Sequence, residues 1–143
     1  MMLDRLHNDL NVRRAISPTT VATGDAAMQS QIIDLQNRFA LEFLIAIGTI
    51  ADNDATFTIL VEDGDDSGLS DNAAVADAYL LGTESGAGFT FANDDEVRKI
   101  GYIGPKRYVR LTITPASNTG QFELSAIAVL MASRKRPHSS QDS

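Results

Sequence analysis

The chain offers few residues whose type and spacing suit chemistry, and the first are acidic. In EDGDDSGLSDN, Asp63, Asp65, Ser67 and Gly68 fall at positions one, three, five and six of a calcium-binding loop, and Asp71 falls at position nine. Position twelve, which requires a bidentate glutamate, is Ala74, and the flanks alternate like strands, so this is not an EF-hand. The expectation is a solvated acidic turn with no bound metal or cofactor. The alternative is a looser oxygen-ligand site in a sandwich loop, for which Asp63, Asp65 and Asp71 are the candidates. The second candidate is basic. GYIGPKRYVRLTITP, residues 101–115, sets Lys106, Arg107 and Arg110 behind a glycine-rich turn. It does not match G-x-x-x-x-G-K-[ST], and no helix start follows to supply a dipole for phosphate. Tyr102 and Tyr108 beside arginines could stack on bases, but a basic cluster of this size also suits an ion-paired face.

Catalytic groups are sparse. His7 and His138 both lie near the ends of the chain, where nothing orients an imidazole. No serine sits in a G-x-S-x-G elbow. The paired carboxylates Asp65/Asp66 and Asp94/Asp95 are adjacent in sequence, so they diverge on a strand or turn. The chain reads as a non-enzyme with no catalytic residues. It has no cysteine, which removes disulfides and thiolate metal sites.

The elements that must position these residues are strands. At 143 residues and 43% apolar, the chain is sized for one domain with one core. Its net charge of −7 argues against a dedicated nucleic-acid binder. MMLDRLHNDLNVRR lacks the apolar core of a secretory signal, and no apolar run approaches the roughly 20 residues of a membrane span. Residues 1–24 read as an extended polar N-terminal arm or an early, weakly tied strand. In DAAMQSQIIDLQNRF, Met28, Ile32, Leu35 and Phe39 recur at helical spacing, yet QSQIID also suits a short strand. From Phe39 the period is two: Phe39, Leu41, Phe43, Ile45 and Ile47 share a face, and the strand is expected to stop at Gly48. Phe57, Ile59 and Val61 alternate next; AVADAYLLG, FTFA, EVRKIGYIG, KRYVRLTIT and FELSAIAVLM follow between Gly and Asx turns. Val109, Leu111 and Ile113 are expected in the core, with Pro115 ending that ladder. Roughly seven or eight short strands with few helices indicate an all-β, single-domain β-sandwich or jelly roll at 25–132, followed by a short flexible basic and polar tail at 133–143.

The last strand is apolar on both faces. A central strand reads this way, and so does one whose second face is covered by a partner subunit; in the second case Ile127, Val129 and Met131 lie at a subunit contact, with Arg107, Tyr108 and Arg110 as further interface candidates.

VATGDAAMQSQIID, FTILVEDGDD, AAVADAYLLGTE, RKIGYIGPKRYVRLTITPASNTG and SAIAVL together resemble a family of small tailed-bacteriophage and prophage virion structural proteins encoded near the major capsid protein. The resemblance runs from Val21 to Pro137 and is most specific over Arg98 to Pro115; the ending here reads MASRKRPH. It implies a capsid decoration, or cement, protein on the outer surface of the phage head, present in the host cytoplasm during assembly. Its partner would be the major capsid protein, and it would form a homo-dimer or homo-trimer, with no membrane or direct nucleic-acid partner. The polar arm would order only on the capsid. The alternative keeps the virion and changes the place: a neck or tail component, or a head-surface glycan-binding adhesin in which Tyr79, Tyr102 and Tyr108 line a groove.

Overall fold

Alternation of β-branched and aromatic residues with polar ones builds most of the chain into strands that bury one face. The computed structural model describes residues 4–36, 38 and 40–131. A short helix α1 (Arg5–Asp9) leads into β1 (Leu10–Val21), β2 (Met28–Gln29), β3 (Ile33–Asp34), β4 (Leu41–Ile50), β5 (Thr56–Gly64) and β6 (Ala73–Ala74). A single 3₁₀ turn precedes β7 (Leu80–Leu81), α2 (Glu84–Ala87) and β8 (Phe89–Thr90). A second 3₁₀ turn precedes β9 (Val97–Tyr102), β10 (Tyr108–Ala116) and β11 (Phe122–Met131). The strands form two antiparallel sheets. The first runs β1-β11-β4-β9-β7; in the second, β10 pairs with β2 and β3 on one side and β5 on the other, and β5 also holds β6 and β8. This is the expected all-β sandwich.

Leu41, Phe43, Ile45 and Ile47 of β4 point inward with Ala126, Ala128 and Leu130 of β11, facing Phe57, Ile59 and Val61 of β5 and Val109, Leu111 and Ile113 of β10. Phe57 ties the sheets together, stacking on Phe89 at 4.7 Å and meeting Phe122 of the first sheet edge-on at 4.9 Å. Full burial of each such side chain contributes about 1.5–3 kcal/mol before conformational entropy is set against it.

Several expectations need correction. Of the two readings of the N-terminal segment, residues 10–21 take the early strand and not the arm. They form β1, which pairs with β11 from Leu10↔Met131 to Val21↔Phe122 and buries Asn11, Ala15 and Ile16. The polar look of this stretch belongs to an edge strand whose ladder is interrupted by shifts between Arg14 and Ile16 and between Ile16 and Thr19. The helix option for 25–39 fails, since Met28 and Ile33 sit in two short strands on β10; Phe39 lies outside the described residues. β4 continues past Gly48 to Ile50, because a register shift opposite Phe122 and Leu124 absorbs the change. AVADAYLLG is not one strand but β6, a 3₁₀ turn and β7. Pro115 does not end β10, which pairs through Ala116. Its missing N–H is tolerated because β2 covers only Thr112 and Ile113 on the other side. The tail at 133–143, with His138, lies outside the described residues.

Candidate interaction surface

The basic segment is neutralised from within the chain. Tyr102 ends β9 pointing inward; its buried phenol donates to Asp63 Oδ2 at 2.7 Å and accepts from the Lys106 backbone N–H at 3.1 Å. This pins the turn from β9 to β10 against the end of β5. Lys106 Nζ then donates to Asp65 at 2.7 Å. The Arg107 guanidinium forks onto both Asp34 oxygens at 2.9 and 3.0 Å, donates to Gln36 at 2.7 Å and lies 5.1 Å from the Tyr108 ring centre. Register explains the third pair: Arg110 and Glu62 are direct cross-strand partners, joined at 3.0 Å with both side chains only 15% exposed. The hydrogen bond from Arg107 holds the Asp34 carboxyl below its usual range, and burial followed by the bond to Asp63 pushes the Tyr102 phenol above its own.

The acidic loop is likewise held by its own backbone. Asp66 accepts from the N–H groups of Gly68 and Ser70, and Asp71 from those of Asp65 and Asp66. These bonds lower both carboxyl pKa values. Leu69, at φ 54°, is the buried plug of the loop. Gly64 makes room for it, since a Cβ there would stand 2.9 Å from Leu69 Cδ2 and collide with Asp71. Asp63, Asp65 and Asp71 therefore point to different donors: a phenol, an ammonium and two amides. Among the described residues no group of three or more His, Asp or Glu side chains is placed to hold a metal. The tyrosines do not share a groove either: Tyr102 is in the core, Tyr79 is exposed beyond β6, and Tyr108 lies on the outer side of the second sheet.

The interface candidates separate into two places. Tyr108 and Arg110 belong to the second sheet, with Arg107 at its mouth. Ile127, Val129 and Met131 lie together on the outer side of the first sheet, Ile127 and Met131 each 43% exposed, while Ala126, Ala128 and Leu130 fill the core. Register then assigns their neighbours. Leu10 lies beside Met131; Val12, Val129, Glu42, Gly101 and Leu81 form the next row; Arg14, Ile127, Leu44 and Lys99 the third; Ser125, Ala46 and Val97 the fourth. Val97 is 66% exposed and Leu81 48%. The sheet thus presents an apolar face across five strands to the outside. Leu44 and Ala46 were legible in LEFLIAI, where apolar residues also occupy the outward positions; Leu10, Val12, Val97 and Leu81 join the face only through strand order.

Two carboxylates lie flat on this face. Glu42 rests over Gly101, where any side chain would collide with its carboxylate and with Leu81 Cβ at 2.9 Å. Glu123 rests over Gly48, whose added Cβ would approach it to 3.1 Å. Burial pushes the Glu42 carboxyl above its usual range, against the pull of Lys99.

No protein-family model matches this chain, and no curated protein matches it. Its fold recurs in solved structures. A chain of the infectious bursal disease virus Gx strain superposes at TM-score 0.52 with 10% identity, over 91% of this chain and 33% of that one. A chain in the capsid of Ralstonia phage GP4 superposes at TM-score 0.50 with 9% identity, over 91% of this chain and 88% of that one. Tripeptidyl peptidase 2 contains a similar sandwich at TM-score 0.50 and 10% identity, over 84% of this chain and only 10% of the peptidase. The protein spans about a third of the length of the bursal disease virus chain and nearly all of the phage one. It therefore has a sandwich fold of the kind found in viral capsid structures.

Proposed function

We propose that this protein is a capsid decoration, or cement, protein, a non-catalytic component that binds the outer surface of a phage head and stabilises contacts between major capsid subunits. The observation that carries the reading is the likeness of fold to a chain in the capsid of Ralstonia phage GP4, over 91% of this chain and 88% of that one. The open apolar face adds support, since a contiguous exposed apolar patch commonly marks an assembly surface. In this reading the protein is a homo-oligomer, repeated over a symmetric shell, and many modest contacts combine through avidity. It stabilises the expanded shell by binding that state in preference to the open one.

The test is to assemble heads with and without the protein and challenge them with heat and low salt. Decorated heads should survive conditions that open bare ones, and the protein should co-sediment with the shell. Equal survival of the two particles would refute the cement role, and localisation of the protein at the neck or tail would move it to another part of the virion.

A further inference from the structure

We infer that the outer face of the first sheet is closed by a second copy of this chain, packed face to face about a two-fold axis that lies across the strands. The inference deepens the oligomeric part of the proposed function and does not depend on capsid binding. Area is the first argument. The four longer strands of the face, spaced about 4.8 Å apart, and four rows about 6.8 Å apart cover on the order of 500 Å², so two copies bury on the order of 1,000 Å², the threshold of a specific interface.

Charge is the second. The chain carries a net charge of −7, so most ways of bringing two copies together oppose like charges. On β1, β11, β4 and β9 this face bears Arg14 and Lys99 against Glu42 and Glu123, and is neutral. A second acidic copy meets no net repulsion on this face.

The arrangement of those charges selects the axis. An axis centred on the face and parallel to the strands would set Arg14 of one copy over Lys99 of the other, because both lie in one row at opposite sides. An axis across the strands, between the Glu42 row and the Leu44 row, instead sets Val129 over Ile127 of the second copy. It also sets Glu42 over Leu44 and beside Lys99 of the second copy. Arg14, on the edge strand β1, can extend to solvent. Glu42 and Glu123 lying down over Gly101 and Gly48 keep the face low enough for sheet-to-sheet packing at about 10 Å.

The experiment measures the mass and dissociation constant of the full chain by light scattering and sedimentation equilibrium. The wild type should be a dimer. Ile127→Asp, at an outward and part-exposed position, should be a folded monomer, with far-UV circular dichroism and cooperative melting retained. Glu42→Lys and Lys99→Glu should each weaken the dimer about tenfold or more, and the double exchange should recover most of that loss. A monomeric wild type, or an Ile127→Asp variant that still dimerises, would overturn the inference. Single charge variants that dimerise like the wild type would overturn the axis. If the wild type is monomeric yet Ile127→Asp loses binding to heads, the face belongs to a capsid subunit, and the cement reading survives while this inference does not.

Discussion

Removing one oxygen atom tests how the end of the sandwich is built. In Tyr102→Phe the ring stays buried, but Asp63 loses the phenol donor at 2.7 Å and the Lys106 amide loses its acceptor at 3.1 Å. A hydrogen bond to a charged group contributes about 1.5–3 kcal/mol and a neutral one about 0.5–1.5 kcal/mol. Asp63 is only part-buried, so water recovers some of the first term. The expected loss is about 2–3 kcal/mol, read as a fall in the urea midpoint at unchanged slope and a drop in Tm of about 6–12 °C. Wild type and variant are compared at equal protein concentration, since self-association shifts apparent stability. A double-mutant cycle with Asp63→Asn should give a coupling of about 1 kcal/mol or more. A loss below about 0.5 kcal/mol, or additive single effects, would refute the assignment of this bond as the anchor of the β9–β10 turn.

Other outcomes follow from the same geometry. Phe57→Ala removes the ring that stacks on Phe89 and meets Phe122, and should cost about 3–5 kcal/mol in denaturant titration. The folded carboxyls of Asp34, Asp52, Asp66 and Asp71 lie below their unfolded values, so their stabilisation is present above about pH 4 and is lost as pH falls through the folded values. Asp34→Asn, which removes the carboxylate bound by Arg107, should flatten the acid limb of a stability-against-pH curve; an unchanged limb would contradict the pairing. Calcium or a chelator should leave Tm unchanged, because the Asp63, Asp65 and Asp71 carboxylates already accept protein donors. A calcium-dependent rise would contradict that.

Much of the fold was legible because a one-sided strand carries its burial in its own alternation. Phe43, Ile45 and Ile47, Phe57, Ile59 and Val61, and Val109, Leu111 and Ile113 all point where period two puts them. The N-terminal segment was less legible. An edge strand broken by register shifts loses alternation, and its partner β11 lies more than a hundred residues away in sequence. The two-residue strands β2, β3, β6, β7 and β8 carry too few positions for any period to show.

The candidate surface divides along the same line. The outward apolar residues Ile127, Val129 and Met131 could be read from FELSAIAVLM, because no single-sided strand needs them. β11 does lie inside its sheet, between β1 and β4, but flanking strands cover a strand's edges and not its faces, so the outer side of β11 stays open. The sequence by itself determined strand content, the inward residues of the long strands, and the presence of surplus apolar side chains on the last one. Only the tertiary structure decided which residues share a surface. Strand order and register join Leu10, Val12, Leu44, Val97 and Leu81 to that stripe, and set the basic cluster at Lys106, Arg107 and Arg110 against Asp65, Asp34 and Glu62. Periodicity is local to a strand, whereas a sheet face and an ion pair are made by residues that only pairing brings together.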